Sequence, residues 1–155
     1  MHRLSDARVV DPLIHALADN DDDIRSIAAA GLGNYGDTRA VEPLIDALND
    51  RYENVRGTAA GELGTLGDTR AVLPLITLLN DKNMYVRSSA IDSLGELGDE
   101  LAVEPLIPLL HDQDEIEDGF CVCDAAAEAL EHIGTLEALE AVRVWREEQE
   151  KRDKS

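Results

Sequence analysis

Potential metal ligands are concentrated between residues 111 and 132. Four side chains of the types that bind Zn²⁺ occur there, namely His111, Cys121, Cys123 and His132. Their spacing matches no standard zinc site, and residues two positions apart on a helix point roughly 200° away from each other. Because the two cysteines would need irregular backbone to share an ion, the spacing favours buried, unreactive thiols.

The same region holds a run of carboxylates that could serve Ca²⁺, which prefers oxygen ligands. Residues 112–119 read DQDEIEDG. The run departs from the EF-hand pattern, because Ile116 stands at its fifth position and Glu117 at its sixth. We therefore predict neither a metal nor a cofactor. Should that prediction fail, the candidate ligands are Asp112, Asp114, Cys121 and Cys123.

Aspartate and arginine recur as pairs six residues apart. The pairs are Asp19/Arg25, Asp50/Arg56 and Asp81/Arg87. A row of arginines could bind an anion, but charge-assisted hydrogen bonds between consecutive turns would use the same side chains. Because the pairs recur at one interval along the chain, we predict a structural ladder that ties each turn to the next repeat.

The interval is 31 residues, and it organises almost the whole chain. The hexapeptide GDTRAV at 36–41 recurs at 67–72, and GDELAV follows at 98–103. The fourth repeat is longer by five residues in the turn 111–123, where Cys123 replaces the expected arginine. Prolines keep the same step at Pro12, Pro43, Pro74 and Pro105. We predict one domain, 1–155, with repeats at about 5–35, 36–66, 67–97 and 98–133.

Apolar residues within each repeat follow the helical period. Leu44 and Leu48 lie on one stripe of a first helix. Val55, Ala59 and Leu63 lie on one stripe of a second helix. One hairpin cannot cover both stripes, so successive hairpins must stack on each other. The predicted fold class is all-α, a right-handed α-solenoid of about four helical hairpins.

A capping helix is predicted at 135–150, followed by a charged tail at 151–155. The helix resembles one more first helix, but Arg143 and Arg146 occupy positions of the apolar stripe. A helix that is apolar on one side only is what the end of a repeat array requires. The residues expected to face inward are Leu139, Val142 and Trp145.

The repeat pattern GDxRAVxPLI, followed by VRxxAAxxLG, resembles the HEAT-like repeats named after the phycobilisome lyases. The resemblance covers residues 5–134 and implies a superhelix whose second helices line a concave face. Proteins with such repeats include binding scaffolds, bilin lyases, DNA-repair proteins and a di-iron hydroxylase. The resemblance therefore implies the fold more strongly than it implies an activity.

Two of these activities lack their residues in this chain. The hydroxylase branch has His-Glu pairs directly after the Val-Arg position of several repeats. This chain has other pairs there, namely Ser26-Ile27, Gly57-Thr58, Ser88-Ser89 and Asp124-Ala125. The DNA-repair branch uses a basic concave groove with aromatic side chains, whereas the groove expected here is acidic and nearly free of aromatics.

The predicted concave positions vary between repeats whose framework is uniform, which is typical of an interaction surface on a fixed scaffold. The first half of this surface is small and neutral, and the second half is acidic. Its predicted residues are Ser26, Ile27, Ala30, Asn34, Gly57, Thr58, Gly61, Thr65, Ser88, Ser89, Asp92, Glu96, Asp124, Glu128 and His132.

Composition narrows the possible partners. The chain of 155 residues has 33 acidic and 14 basic side chains and a net charge of −19, which disfavours binding to nucleic acid. No stretch approaches the ~20 apolar residues that span a bilayer, so no membrane is expected. Two cysteines make no disulfide framework, and we expect a reducing cytoplasm. The acidic surface suits a salt-rich cytoplasm or an ordinary acidic soluble protein.

The sequence as a whole predicts a non-enzymatic scaffold for protein–protein interaction. Its partner would be an extended or helical segment that carries Lys or Arg toward the acidic end of the concave face. Two alternatives stay open. One is a bilin lyase-like, tetrapyrrole-handling protein, and the other is a binding module that responds to a divalent metal in the turn 111–123.

Overall fold

The computed structural model describes residues 7–117 and 119–154. Residues 5 and 6 of the first predicted repeat, residue 118 of the carboxylate-rich run and residue 155 of the predicted tail lie outside the described residues. Within the part that is described, no helix is both long and apolar enough to cross a membrane.

Stacked helical hairpins account for most of the described chain. The first helices of the hairpins are α1 (Ala7–Ala16), α3 (Val41–Ala47), α5 (Val72–Leu78) and α7 (Val103–Leu106). The second helices are α2 (Asp22–Tyr35), α4 (Glu53–Leu66), α6 (Met84–Leu97) and α8 (Val122–Ile133). Two short antiparallel strands, β1 (Glu115–Glu117) and β2 (Phe120–Cys121), precede α8, and α9 (Leu136–Asp153) follows it. The predicted all-α solenoid is confirmed.

The Gly-Asp pairs at 36–37, 67–68 and 98–99 each end one helix and begin the next helical segment. Gly67 ends α4 with a φ of 69°, in the left-handed region that only glycine adopts without steric cost. The Asp68 carboxylate then accepts a hydrogen bond of 3.0 Å from the backbone N–H of Arg70 and caps a short 3₁₀ turn. Hydrogen bonds from Arg70 also lower the pKa of Asp68 to about 2. Asp37 and Asp99 cap the equivalent turns.

The core is a column of aliphatic side chains that continues through every hairpin. Leu32, Leu63, Leu94 and Leu130 occupy equivalent positions in the second helices, and each has 0% of its surface exposed. The last two are 36 residues apart rather than 31, because the turn before α8 contains the insertion. The insertion therefore leaves the stacking of the helices intact.

The C-terminal helix differs from its prediction in two ways. It continues to Asp153, so residues 151–153 of the predicted charged tail are helical. Exposed ion pairs such as Arg143–Glu147, one helical turn apart, support a helix that has little else to bury. The prediction for Leu139 was also wrong, because its side chain is 45% exposed and Ala138 faces the core instead. The buried stripe is Ala138, Val142 and Trp145.

Successive second helices approach each other closely at glycines that keep the 31-residue step, Gly33, Gly64 and Gly95. A Cβ atom added at Gly33 would overlap the carboxylate of Glu62. One added at Gly64 would lie 2.8 Å from the backbone Cα of Ser93. Across the same contact, the buried Ser93 hydroxyl donates a 2.8 Å hydrogen bond to the Ala60 carbonyl. Because the obstacle at Gly64 is backbone, a side chain there must push the helices apart.

Replacing Gly64 by alanine should therefore lower the free energy of unfolding by about 1–3 kcal/mol, the usual cost of overpacking. Gly61 is the matched control, because it lies in the same helix and has nothing within 4 Å of an added Cβ. Gly61→Ala should raise the free energy of unfolding by about 0.5–1 kcal/mol through helix propensity. Urea denaturation measures both, and equal effects of the two substitutions would contradict the close approach.

Candidate functional site

Buried arginines connect consecutive turns between the helices. The Arg25 guanidinium donates hydrogen bonds of 2.7 and 2.9 Å to the Asp50 carboxylate and one of 2.8 Å to the backbone carbonyl of Asp19. Arg56 repeats the arrangement, with bonds of 2.7 and 3.0 Å to Asp81 and 2.8 Å to the carbonyl of Asp50. Each arginine thus donates hydrogen bonds to two aspartates. One bond goes to the backbone carbonyl of the aspartate six residues before it, and the others go to the carboxylate of the aspartate 25 residues after it.

These contacts occupy the guanidinium groups and fix the charge of the aspartates. The hydrogen bond from Arg25 lowers the pKa of Asp50 despite partial burial. Burial opposes the ionisation of Asp81, but the hydrogen bonds from Arg56 and from the Asn83 N–H, together with the positive charges of Arg56 and Lys82, outweigh it, so the pKa of Asp81 also lies below its ordinary value. The arginines are more than nine-tenths buried. Such a row is built to join repeats rather than to receive an external anion.

The inserted turn supplies the last rung of this ladder. Arg87 donates a 3.0 Å hydrogen bond to Asp112 and also contacts the Asp114 carboxylate. Both candidate calcium ligands are therefore paired with an arginine. Cys123 stands where the next arginine would be, and its backbone N–H donates a 3.0 Å hydrogen bond to the Asp112 carbonyl. The ladder ends at this point in the described chain.

The prediction of unreactive thiols was wrong, because Cys121 and Cys123 form a disulfide. The helical-spacing argument placed both residues in one helix. In the structure Cys121 precedes α8 with extended backbone, φ −103° and ψ 169°, and only Cys123 is helical. Their Cα atoms are consequently 5.1 Å apart. Among the described residues, the ligand-type group at this place is Cys121, Cys123 and Asp124, and neither His111 nor His132 belongs to it.

An open pocket of about 570 Å³ lies beside the disulfide, between the inserted turn and α9. Trp145 and Gln149 of α9 line it. The Trp145 Nε1 and Gln149 Nε2 atoms are buried and have no hydrogen-bond partner in the described part of the chain. Sequence reasoning missed this pocket, since it exists only where the insertion docks against the last helix. The available signal in the sequence was a tryptophan and a glutamine, Trp145 and Gln149, four residues apart in an otherwise highly charged helix.

The residues predicted to line the concave face are all accessible to solvent. We call them, together with Glu62 between them, the second-helix face. Ser26 and Thr58 are joined by a 3.0 Å hydrogen bond between their hydroxyls. The exposed residues are Ile27, Asn34, Thr65, Asp92, Glu96, Glu128 and His132. The partly exposed ones are Ser26, Ala30, Gly57, Thr58, Gly61, Ser88, Ser89 and Asp124. Ala125, which follows Asp124 in the pair after the Val-Arg position of the fourth repeat, is buried and does not belong to this face.

The acidic half of the second-helix face carries charge that no described residue neutralises through an ion pair. None of Asp92, Glu96 and Glu128 forms an ion pair with a described residue. Although the Asp92 side chain is exposed, partial desolvation of its carboxyl group raises its pKa, and the negative charges of Glu128 and Glu96 raise it further. Burial likewise raises the pKa of Glu62, which packs over Gly33.

The stacked hairpins and the arginine ladder are those of a helical repeat protein. The family profile of HEAT repeats matches residues 1–52 and 41–119, so the chain belongs to the HEAT repeat family. No curated protein sequence matches it.

The solved structures that resemble the fold include the following two. One is the complex of CpcE and CpcF of phycocyanin lyase from Nostoc sp. PCC7120, with 30% identity, a TM-score of 0.73 and 88% of this chain covered. This chain spans 63% of the length of that lyase chain. The other is an engineered protein, with 21% identity, a TM-score of 0.65, and coverage of 88% of this chain and 67% of that one. The second likeness concerns the fold alone.

The ladder predicts how the protein responds to acid. Asp81→Asn should lower the free energy of unfolding by about 1–3 kcal/mol at neutral pH, because the buried Arg56 loses its anion. The pKa of Asp81 is lowered by folding, so its contribution is complete above the ordinary aspartate value of 3.8 and is lost as the pH falls toward the folded value. Below about pH 4 the wild type should therefore lose stability more steeply than the variant.

Urea denaturation at several pH values measures this difference. Asp46→Asn is the control, because Asp46 is exposed and lies outside the ladder. Its effect should stay within about 0.5 kcal/mol at neutral pH. Parallel pH profiles for the wild type and Asp81→Asn would show that the ladder does not carry the acid sensitivity.

Proposed function

We propose that the chain is a non-enzymatic scaffold that binds a segment of another protein along the second-helix face. The observation that carries this proposal is the set of accessible carboxylates of Asp92, Glu96 and Glu128, which have no cationic partner among the described residues. They stand on α6 and α8, whose backbones are fixed by close helix packing. A rigid, unneutralised acidic surface is complementary to a basic segment.

The other half of the face suggests how such a segment would be oriented. Ile27 is 70% exposed, and the residues near it are small and neutral. An apolar side chain of the partner would contact Ile27, while Lys or Arg side chains further along would reach Asp92 and Glu96. Binding a cation there would also offset the negative charges of Glu128 and Glu96, which add to desolvation in raising the pKa of Asp92.

Membership of the HEAT repeat family supports a role in protein binding, since solenoids present extended surfaces to partners. The structural relative from Nostoc is itself a complex of two proteins, CpcE and CpcF. We extend that property to this chain as part of the proposal. The partner is identified here only by its chemistry, a basic segment with at least one apolar side chain.

Selection from a display library of random peptides tests the proposal without a known partner. The enriched peptides should contain Lys or Arg, and Asp92→Arg with Glu96→Arg should weaken their binding at least about tenfold, which is 1.4 kcal/mol. The matched control is Asp46→Arg with Glu104→Arg, which makes the same charge change at exposed positions of α3 and α7.

Isothermal titration of the selected peptides gives the affinities, and circular dichroism confirms that both double variants are folded. The control should bind like the wild type. If both variants lose binding equally, the interaction depends on net charge alone and the second-helix face is not its site. If no basic peptide is enriched, the proposal is wrong.

A tetrapyrrole-handling role is the second candidate, and the likeness to a phycocyanin lyase over 88% of this chain favours it. Incubation with a linear tetrapyrrole, followed by gel filtration, distinguishes the two functions. Visible absorption that elutes with the protein, and survives the Asp92→Arg, Glu96→Arg substitutions, would favour the tetrapyrrole role. A colourless protein peak is the result expected for the scaffold.

A further inference from the structure

Three potential metal ligands converge where the inserted turn meets α8. The Sγ atoms of Cys121 and Cys123 and a carboxylate oxygen of Asp124 all lie within 4.8 Å of one another. We propose that these residues bind a zinc-type divalent cation when the cysteines are reduced. The disulfide and the metal complex are then alternative states of one site, which shares Asp124 with the second-helix face but contains none of Asp92, Glu96 and Glu128.

The backbone holds the ligands together independently of the bond between the sulfur atoms. The N–H groups of Val122 and Cys123 each donate a 3.0 Å hydrogen bond, to the carbonyls of Asp114 and Asp112 respectively. Both aspartates are in turn held by Arg87. Reduction therefore leaves the two thiols near each other at the beginning of α8.

The donor set suits zinc better than calcium or magnesium. Two thiolates and one carboxylate are ligands that Zn²⁺ uses, whereas hard cations prefer oxygen alone. One oxygen of Asp124 already accepts a 2.9 Å hydrogen bond from the Cys121 N–H, which orients the carboxylate toward the site. Three protein ligands leave a fourth position of a tetrahedral ion open.

The pocket beside the site contains acidic side chains, which favour a cation. It also contains hydrogen-bond donors that could hold a fourth ligand of the metal. Its wall carries Glu115, Asp153 and Glu150, the last of which lies 3.8 Å from Lys154 Nζ, while its arginine, Arg146, is paired with Glu131 at 2.8 Å. Trp145 is 91% buried, and its Nε1 donor lacks a partner in the described part of the chain, as does Nε2 of Gln149. An acceptor atom of water or of a carboxylate on the metal would find these donors in the same pocket.

The site changes from the disulfide to the metal complex by reduction followed by metal binding. A dithiol reductant gives two electrons and two protons to the Cys121–Cys123 disulfide, so that the S–S bond breaks and the reductant forms its own disulfide. The cation then displaces the two thiol protons. In the reverse direction hydrogen peroxide takes two electrons from the thiolates and two protons from the solvent. The S–S bond forms, the O–O bond breaks, two water molecules are produced and the cation is released.

Cobalt titration of the full chain tests the site, because Co²⁺ bound by thiolates gives intense near-ultraviolet absorption. The protein is reduced with dithiothreitol, freed of reductant by anaerobic gel filtration, and titrated with Co²⁺ and then Zn²⁺. We expect one Co²⁺ per reduced chain, displacement by Zn²⁺, and no thiolate absorption from the oxidised chain. Trp145 is the single tryptophan and lines the pocket, so its emission should change in the same titration.

Substitutions separate this site from adventitious binding on an acidic surface. Cys123→Ser and Asp124→Asn should each weaken Co²⁺ binding more than about tenfold. Glu148→Gln is the matched control, since it removes an exposed carboxylate of α9 that lies outside both the ligand set and the pocket lining, and it should bind like the wild type. Alkylation of the reduced wild type blocks both thiols without a substitution and should abolish the absorption, which covers the case in which a variant fails to fold.

Three results would overturn the proposal. Reduced wild type that binds no Co²⁺ with thiolate absorption would show a redox pair without a metal site. Equal binding by the wild type and the alkylated protein would place the cation on surface carboxylates. An equal loss in Glu148→Gln and Asp124→Asn would show that the net charge of this region, rather than the ligand set, controls binding.

Discussion

The close approach of successive second helices is the constraint on which the rest of the structure depends. Glycines at Gly33, Gly64 and Gly95 leave room for a neighbouring helix, and there the packing admits no further atom without displacement. The same contact draws side chains of the next helix over the gap, Glu62 over Gly33 and Glu96 toward Gly64. Two carboxylates of the second-helix face, Glu62 and Glu96, therefore lie against a neighbouring helix, and burial there raises the pKa of Glu62.

The arginine ladder solves a different problem, the alignment of the turns at the ends of the helices. Helix packing sets the distance between successive hairpins. The bidentate hydrogen bonds from Arg25 and Arg56 to aspartate carboxylates fix the register of the hairpins. The insertion continues this system, because Arg87 binds Asp112 and Asp114 within it. That attachment positions the Cys121–Cys123 pair and the pocket, so the last rung of a structural ladder supports the site proposed for metal.

The 31-residue period was enough to predict an all-α solenoid of stacked hairpins and its aliphatic core. It could not identify the carboxylate partner of each arginine, because in a periodic chain the aspartate six residues before and the one 25 residues after are equally regular. The disulfide was missed for a local reason, since the bonding geometry depends on α8 beginning after Cys121. The pocket was missed because it forms only when distant segments dock.

The basic side chains are distributed unevenly over the acidic surface. With 33 acidic and 14 basic side chains, many carboxylates must remain unpaired, so the informative feature is where the chain leaves them. Arginines neutralise Asp50 and Asp81 in the ladder and Glu42 near the first helices, yet no predicted position of the second-helix face is Lys or Arg. Solubility requires a net charge but not this segregation. The proposed binding of a basic segment would account for it, because cations placed there would compete with the partner.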